Sequence, residues 1–235
     1  MRRFSDIVFP LVMIGCGQFI VLTTLAMFVY PGGTYQDPTT QGYLFFRNFF
    51  SDLGLFRSYS GNPKIASFLL FSFALGLAGL AEIFFFLFAP RLFKSRRLAY
   101  MLSLVGSIFG VLSGLSYIGI ACSPADLYRP SHVLFVKLAF TAFFVAILFY
   151  LVAVLLTPNY PKVYAWTYLA FAVLLAIYIW LMFYGPSPST TLGLAIQVAG
   201  QKVISYAAIL TMFIQAYGAW QLGQTNRSGT LYVQG

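Results

Sequence analysis

Ile65-Ala-Ser-Phe-Leu-Leu-Phe-Ser-Phe-Ala-Leu-Gly-Leu-Ala-Gly-Leu-Ala-Glu82-Ile-Phe-Phe-Phe-Leu-Phe-Ala89 carries a single ionisable side chain. A helix needs about 20 apolar residues to cross a hydrocarbon core about 30 Å thick, so this stretch is long enough to span a bilayer. Five further runs have the same character, at roughly 7–30, 98–121, 132–156, 163–184 and 194–221. The expected fold is all-α: a polytopic six-helix transmembrane bundle, a single integral membrane domain over 1–235 with a short polar tail at 222–235.

Composition excludes the soluble classes. Charged residues make up 8% of the chain, against about 25% in a soluble domain, and 60% of residues are hydrophobic. The mean hydropathy is +0.84. A net charge of +9 in a soluble protein would suggest nucleic acid, but the 14 Lys and Arg mostly flank apolar runs, where they act as topology signals and contacts for lipid headgroups. The partners expected are membrane lipids, with no nucleic acid. Cys16 and Cys122 fall in or beside apolar segments without a CxxC or Cys/His spacing, so neither a zinc finger nor a disulfide framework is expected. The apolar stretch before Cys16 is short and the one after it runs on to Tyr30, which favours an uncleaved first helix over a lipoprotein signal.

Six crossings put both termini on one side. Arg2, Arg3, Arg91, Lys94, Arg96, Arg97, Lys162 and Arg227 then share that side, while Arg47, Arg57, Lys64 and Arg129 lie opposite with Asp37, Asp52 and Asp126. The positive-inside rule places the termini in the cytoplasm of a cell-membrane protein. Trp166, Trp180 and Trp220 sit near expected helix ends, as interfacial anchors do. The one long connection is 31–63. Within it 42–50 reads either as a short interfacial helix with Arg47 and Asn48 directed at water, or as an ordinary packed loop.

Close approach through small residues must supply helix contact where lipid gives no hydrophobic push. Ser103, Gly106, Ser107, Gly110 and Gly114 lie on one stripe of the third helix, which is expected to be central in the bundle; a homodimer seam is the alternative use of this face. On the sixth helix Gln197, Gln201, Thr211 and Gln215 share a polar face that should look inward, as interhelical glue or pocket lining.

Ionisable groups inside a span are functional candidates, since each costs about 2.5–3.5 kcal/mol at mid-bilayer on insertion scales. Glu82, Lys137 and Lys202 qualify. Lys137 and Lys202 lie near the outer face and can snorkel; Glu82 lies nearer the inner surface, within reach of the basic turn at 91–97. At the outer edge three polar groups come together by topology: Asn48, Ser51, Asp52 and Gly54; Ser123, Pro124, Asp126, Arg129 and His132; Gln197, Gln201 and Lys202. Asp52 and Asp126 could supply oxygen ligands and His132 a nitrogen to a divalent metal, or all three could act in acid–base catalysis; as ordinary loop charges and a helix-start histidine they would only be structural. One histidine excludes a bis-imidazole haem and a three-histidine zinc site, and neither a P-loop, a GxSxG elbow, HExxH nor GxGxxG is present. No cofactor and no bound metal is expected.

Asn48-Phe-Phe-Ser51-Asp52-Leu-Gly54, followed by Gly61-Asn62-Pro63, resembles the hallmark of a prokaryotic six-span family catalogued as domain of unknown function 998. Ser123-Pro-Ala-Asp126 with His132, and Gly200-Gln201-Lys202, are similar to that family's later polar positions, although Arg would be the more familiar residue where Lys202 stands. The likeness covers about 1–222. A more distant one is to the Frag1/DRAM/Sfk1 six-span proteins, which are linked with lipid homeostasis and autophagy. The resemblance implies the bundle and the outer cluster but brings no reaction with it.

Three functions follow from these residues. The first is a non-enzymatic protein whose outer cluster stabilises the bundle and binds a lipid headgroup or small polar ligand through Asn48, Ser51, Asp52, Asp126, His132, Gln197, Gln201 and Lys202. The second is a metal-dependent lipid hydrolase, which requires Asp52, Asp126 and His132 to converge on one point. The third is a proton-coupled transporter, which requires a polar cavity from Glu82 to the outer face.

Overall fold

The computed structural model describes the backbone of residues 2–231 and the side chains of 6–224. Six helices follow one another: α1 Arg2–Phe28, α2 Ile65–Phe88, α3 Arg97–Ala121, α4 Arg129–Leu156, α5 Val163–Tyr184 and α6 Thr191–Leu231. Each contains a segment long and apolar enough to cross a membrane. Among the described residues there are no strands, only isolated bridges between Gly32 and Gln41 and between Arg57 and Pro63. The chain is an all-α six-helix bundle of the multi-pass membrane type.

The largest departures from the expected limits are at α1, which starts at Arg2 rather than about residue 7, and at α6. α6 continues to Leu231, through most of the stretch read as a polar tail; 232–235 lie outside the described residues. α2 is prolonged by a 3₁₀ turn, Ala89–Phe93, which begins where Pro90 cannot donate the next helical hydrogen bond.

The helices form a closed ring. Each packs on its sequence neighbours, and α6 packs back on α1. α3 therefore sits between α2 and α4 in the ring rather than at its axis, because its small residues serve two seams at once. A Cβ on Gly114 would lie 2.7 Å from the Gly79 carbonyl oxygen, and one on Gly106 would lie 2.8 Å from the Tyr150 ring; glycine is what permits both approaches. Ser107 adds a hydroxyl shared between Phe86 O (2.6 Å) and Tyr150 OH (2.7 Å). All five members of the stripe are buried within the one chain.

Aromatic side chains fill the interior. Phe85, Phe86, Phe93, Phe143, Tyr150 and Tyr168 are fully buried, with Phe86 and Tyr150 edge to face at 5.2 Å and Phe93 stacked on Tyr160 at 5.4 Å. A second cluster around Phe19, Phe50, Phe71 and Leu75 fills the other half of the ring. Trp166 and Trp180 are exposed near the two ends of α5, where amphipathic rings suit the interface.

Residues 29–64, 122–128 and 185–190 lie at one end of the ring, the loop end. Residues 89–96 and 157–162 lie at the other, the terminal end. There Lys162 donates to Val154 O, Leu155 O and Thr157 O at 2.8–2.9 Å, adding a cation to the carbonyls at the end of α4.

Candidate functional site

The loop end is built on the Asn48–Gly54 string. Residues 50–54 form a 3₁₀ turn, and 42–50 is a packed loop rather than an interfacial helix. Asn48, which an interfacial helix would direct at water, is fully buried. Its Oδ1 accepts from Leu44 N at 2.9 Å, while its Nδ2 donates to Gly33 O at 2.8 Å and to Asp52 Oδ2 at 3.1 Å. One amide thus ties three parts of the loop together. Gly33 takes the left-handed φ of +87° and packs against Tyr59 and Ser60 so tightly that a Cβ would lie 2.5 Å from Ser60 N, which only glycine tolerates.

Asp52, 3% exposed, is the centre of this cap. It accepts from Phe49 N at 2.8 Å and from Tyr59 OH at 3.2 Å in addition to Asn48. Burial raises its carboxyl to about 6 against the partial opposition of these donors and of Lys64. Lys64 is itself buried; it donates to Leu53 O at 2.7 Å and lies over the Tyr30 ring. Burial lowers its ammonium to about 7 while Asp52 and Asp126 pull upward. The hydroxyls of Tyr30, Tyr43 and Tyr59 are all pushed up, first by burial and then by the Asp52 charge.

α6 holds the cap from below. Gln201 Oε1 accepts from Phe50 N at 2.7 Å, and its Nε2 donates to Ser51 Oγ at 3.3 Å. Lys202 does not snorkel. It is 2% exposed, donates to Asn48 O, and faces the Tyr43 and Phe45 rings. The loop folds down to meet the amine, so the amine has no need to reach up to water.

The other candidates stand apart from Asp52. Asp126 is exposed and accepts from Phe56 N (2.9 Å) and Arg57 N (2.9 Å). Buried His132 bonds Ser123 O through Nδ1 at 2.8 Å; a carbonyl can only accept, so Nδ1 carries the proton. Asp52, Asp126 and His132 thus each serve a separate stretch of backbone, and no group of three or more His, Cys, Asp or Glu among the described residues could hold a metal ion. Gln197 bonds Leu181 O and Pro186 O, and Gln215 bonds Tyr164 O and Thr167 Oγ1. Both are glue between α6 and α5.

Beneath the cap lies a cavity of about 70 Å³ that reaches from Ser51 and Gln201 down to Glu82. Its wall is mostly apolar, not the polar passage a transporter would require. Glu82 does not reach the basic turn at 91–97. It points into the ring, 4% exposed, and the nearby Ser113 hydroxyl donates to Ala139 O at 3.0 Å. Lys137 is half-buried, with its ammonium 4.9 Å from the centre of the Phe183 ring.

Sequence reasoning overlooked Lys64, the Tyr30–Tyr43–Tyr59 trio and Ser113. Lys64 carried a signal: a lysine one residue after a proline at the mouth of an apolar helix is positioned to turn back on the preceding loop. Comparison with family models, curated proteins and solved structures finds no match for this chain.

Proposed function

We propose that this chain is a non-enzymatic multi-pass protein of the cell membrane whose loop-end polar cluster acts as a cap that locks the ring of helices, with a lipid headgroup held at the margin of that cap. One observation carries the reading: the polar groups of the cluster are spent on the protein's own backbone. Asn48, Asp52, Lys64, Asp126, His132, Gln201 and Lys202 all end on main-chain atoms of the loops. Groups so engaged stabilise, since an unpaired buried polar atom costs about 1–3 kcal/mol, but they leave little to offer a substrate.

The headgroup belongs beside the cap. A groove of about 490 Å³ runs between the 34–47 loop and the start of α6, with Asp37, Phe46 and Arg47 on its wall. The Thr39 amide and hydroxyl hold the Asp37 carboxyl below its usual range, so it stays an anion next to the exposed Arg47 guanidinium. Such a pair suits a zwitterionic phosphate headgroup, and the exposed Phe46 ring suits the acyl region below it. The excess of cations at the terminal end supports a cytoplasmic position for the termini, with 91–97 resting on anionic lipid at about 1 kcal/mol per cation. The likeness to domain of unknown function 998 is proposed on the same residues that build the cap.

Metal analysis and native mass spectrometry in mild detergent test this reading. Wild type should carry no stoichiometric metal and should retain phospholipid, Arg47→Gln should lose that lipid, and Asp52→Asn should lose stability. Stoichiometric metal that disappears in both Asp52→Asn and His132→Ala would hand the protein to the hydrolase reading.

A further inference from the structure

Glu82 stands in a different situation from every polar group of the cap. Its Oε1 is buried without a hydrogen-bond partner, and the side chain lines the central cavity. It is the only Asp, Glu, Lys or Arg among the residues lining it. The other polar groups at the upper end of the cavity are engaged: Gln201 and Ser51 with each other and with the Phe50 amide, Ser205 with Gln201 O at 2.7 Å. Cys16 and Tyr117 flank the acid, and Phe71, Phe140 and Met212 supply apolar wall. A buried acceptor without a donor, opening onto empty apolar space, is the signature of an absent partner.

We propose that this cavity is a ligand site for a small apolar molecule bearing a protonated amine, with the ammonium on Glu82 and the apolar body extending toward Ser51 and Gln201. Charge selects the head, because a lone carboxylate among apolar side chains gains most from a cation and repels an anion. Volume selects the body. An engineered apolar cavity of about 150 Å³ accommodates the six heavy atoms of benzene, so about half that space suits about three, a two-carbon chain and its nitrogen. Water is the competing occupant, since a single ordered water can also donate to Oε1.

Ethylammonium is the probe, compared with ethanol and acetate. Thermal unfolding of the full chain, purified in dodecyl maltoside at pH 7, is followed as each is titrated. The expected result is stabilisation of wild type by ethylammonium at a concentration at least about tenfold below that of ethanol, equivalent to about 1.4 kcal/mol, with acetate weakest. Glu82→Gln keeps the shape of the side chain and should abolish the preference for the amine. Ala78→Leu fills the cavity while leaving Glu82 in place, and should abolish the response to amine and alcohol together. Equal responses to amine and alcohol in wild type overturn the proposal, as does an amine preference that survives Glu82→Gln. An undiminished response in Ala78→Leu overturns it as well, because binding is then outside the cavity. Should Glu82→Gln fail to fold, the Ala78→Leu comparison decides.

Discussion

Asp52 and Glu82 are two carboxyls buried to nearly the same depth, 3% and 4% exposed, yet their surroundings are opposite. Asp52 receives three hydrogen bonds and has two lysines in its field. Glu82 has an unpartnered Oε1 and an open face on the cavity. The difference teaches that burial alone does not mark a site. A saturated acid is part of the frame, whereas an under-satisfied one beside a cavity is a place where something can bind.

The largest test of this contrast is Asp52→Ala. It strands the Asn48, Phe49 and Tyr59 donors and removes the counter-charge for Lys64 and Lys202, and it should cost about 3–5 kcal/mol in denaturant unfolding. A loss under ~1 kcal/mol would mean that the cap does not hold the ring. The next effect is one of pH. Folded Asp52 keeps its proton up to about 6 against 3.8 for the ordinary carboxyl, so between these values the folded state binds more protons and stability rises on acidification, by on the order of 2–3 kcal/mol across the window. Lys64 works the other way. Folded, it gives up its proton at about 7 rather than 10.5, so stability rises with pH above that point. Together the two groups predict a minimum of stability near pH 6–7, with the acid limb absent in Asp52→Asn and the alkaline limb absent in Lys64→Met.

Asn48→Ala should cost about 1–3 kcal/mol, because Gly33 O and Leu44 N lose their partner inside the loop. Glu82→Leu sharpens the contrast from the other side. It replaces an unpaired polar group by an apolar one of similar size and should raise stability by about 1 kcal/mol. A large loss there, measured by the same unfolding, would make Glu82 part of the frame after all.

The six spans were legible because their apolar length exceeds the thickness of a bilayer core, a criterion that needs no tertiary information. The cluster at the loop end was legible for a related reason: in a chain so poor in polar residues, a string such as Asn48–Gly54 is conspicuous. Side-chain direction was not. Asn48 is drawn inward by Gly33 O and Leu44 N, both supplied by a loop whose path depends on left-handed glycines. The reach of Glu82 was misread because α2 does not stop where its helical hydrogen bonds stop; the turn Ala89–Phe93 carries the apolar segment further and leaves residue 82 well inside it. The inward polar face of α6 followed from periodicity, but its division into cap support by Gln201 and α5 glue by Gln197 and Gln215 depended on which neighbour the ring puts there.

The seam between α1 and α6 has a consequence for biosynthesis. A ribosome delivers α1 first and α6 last, so the ring stays open until the final span has entered the membrane. Through that interval Asn48 O and Phe50 N await Lys202 and Gln201. The loop after α1 is translated early but can set only at the end, which makes the last span the clasp of the whole assembly. A chain halted before residue 201 would present quality-control proteases with five inserted helices and an unfastened extramembrane loop.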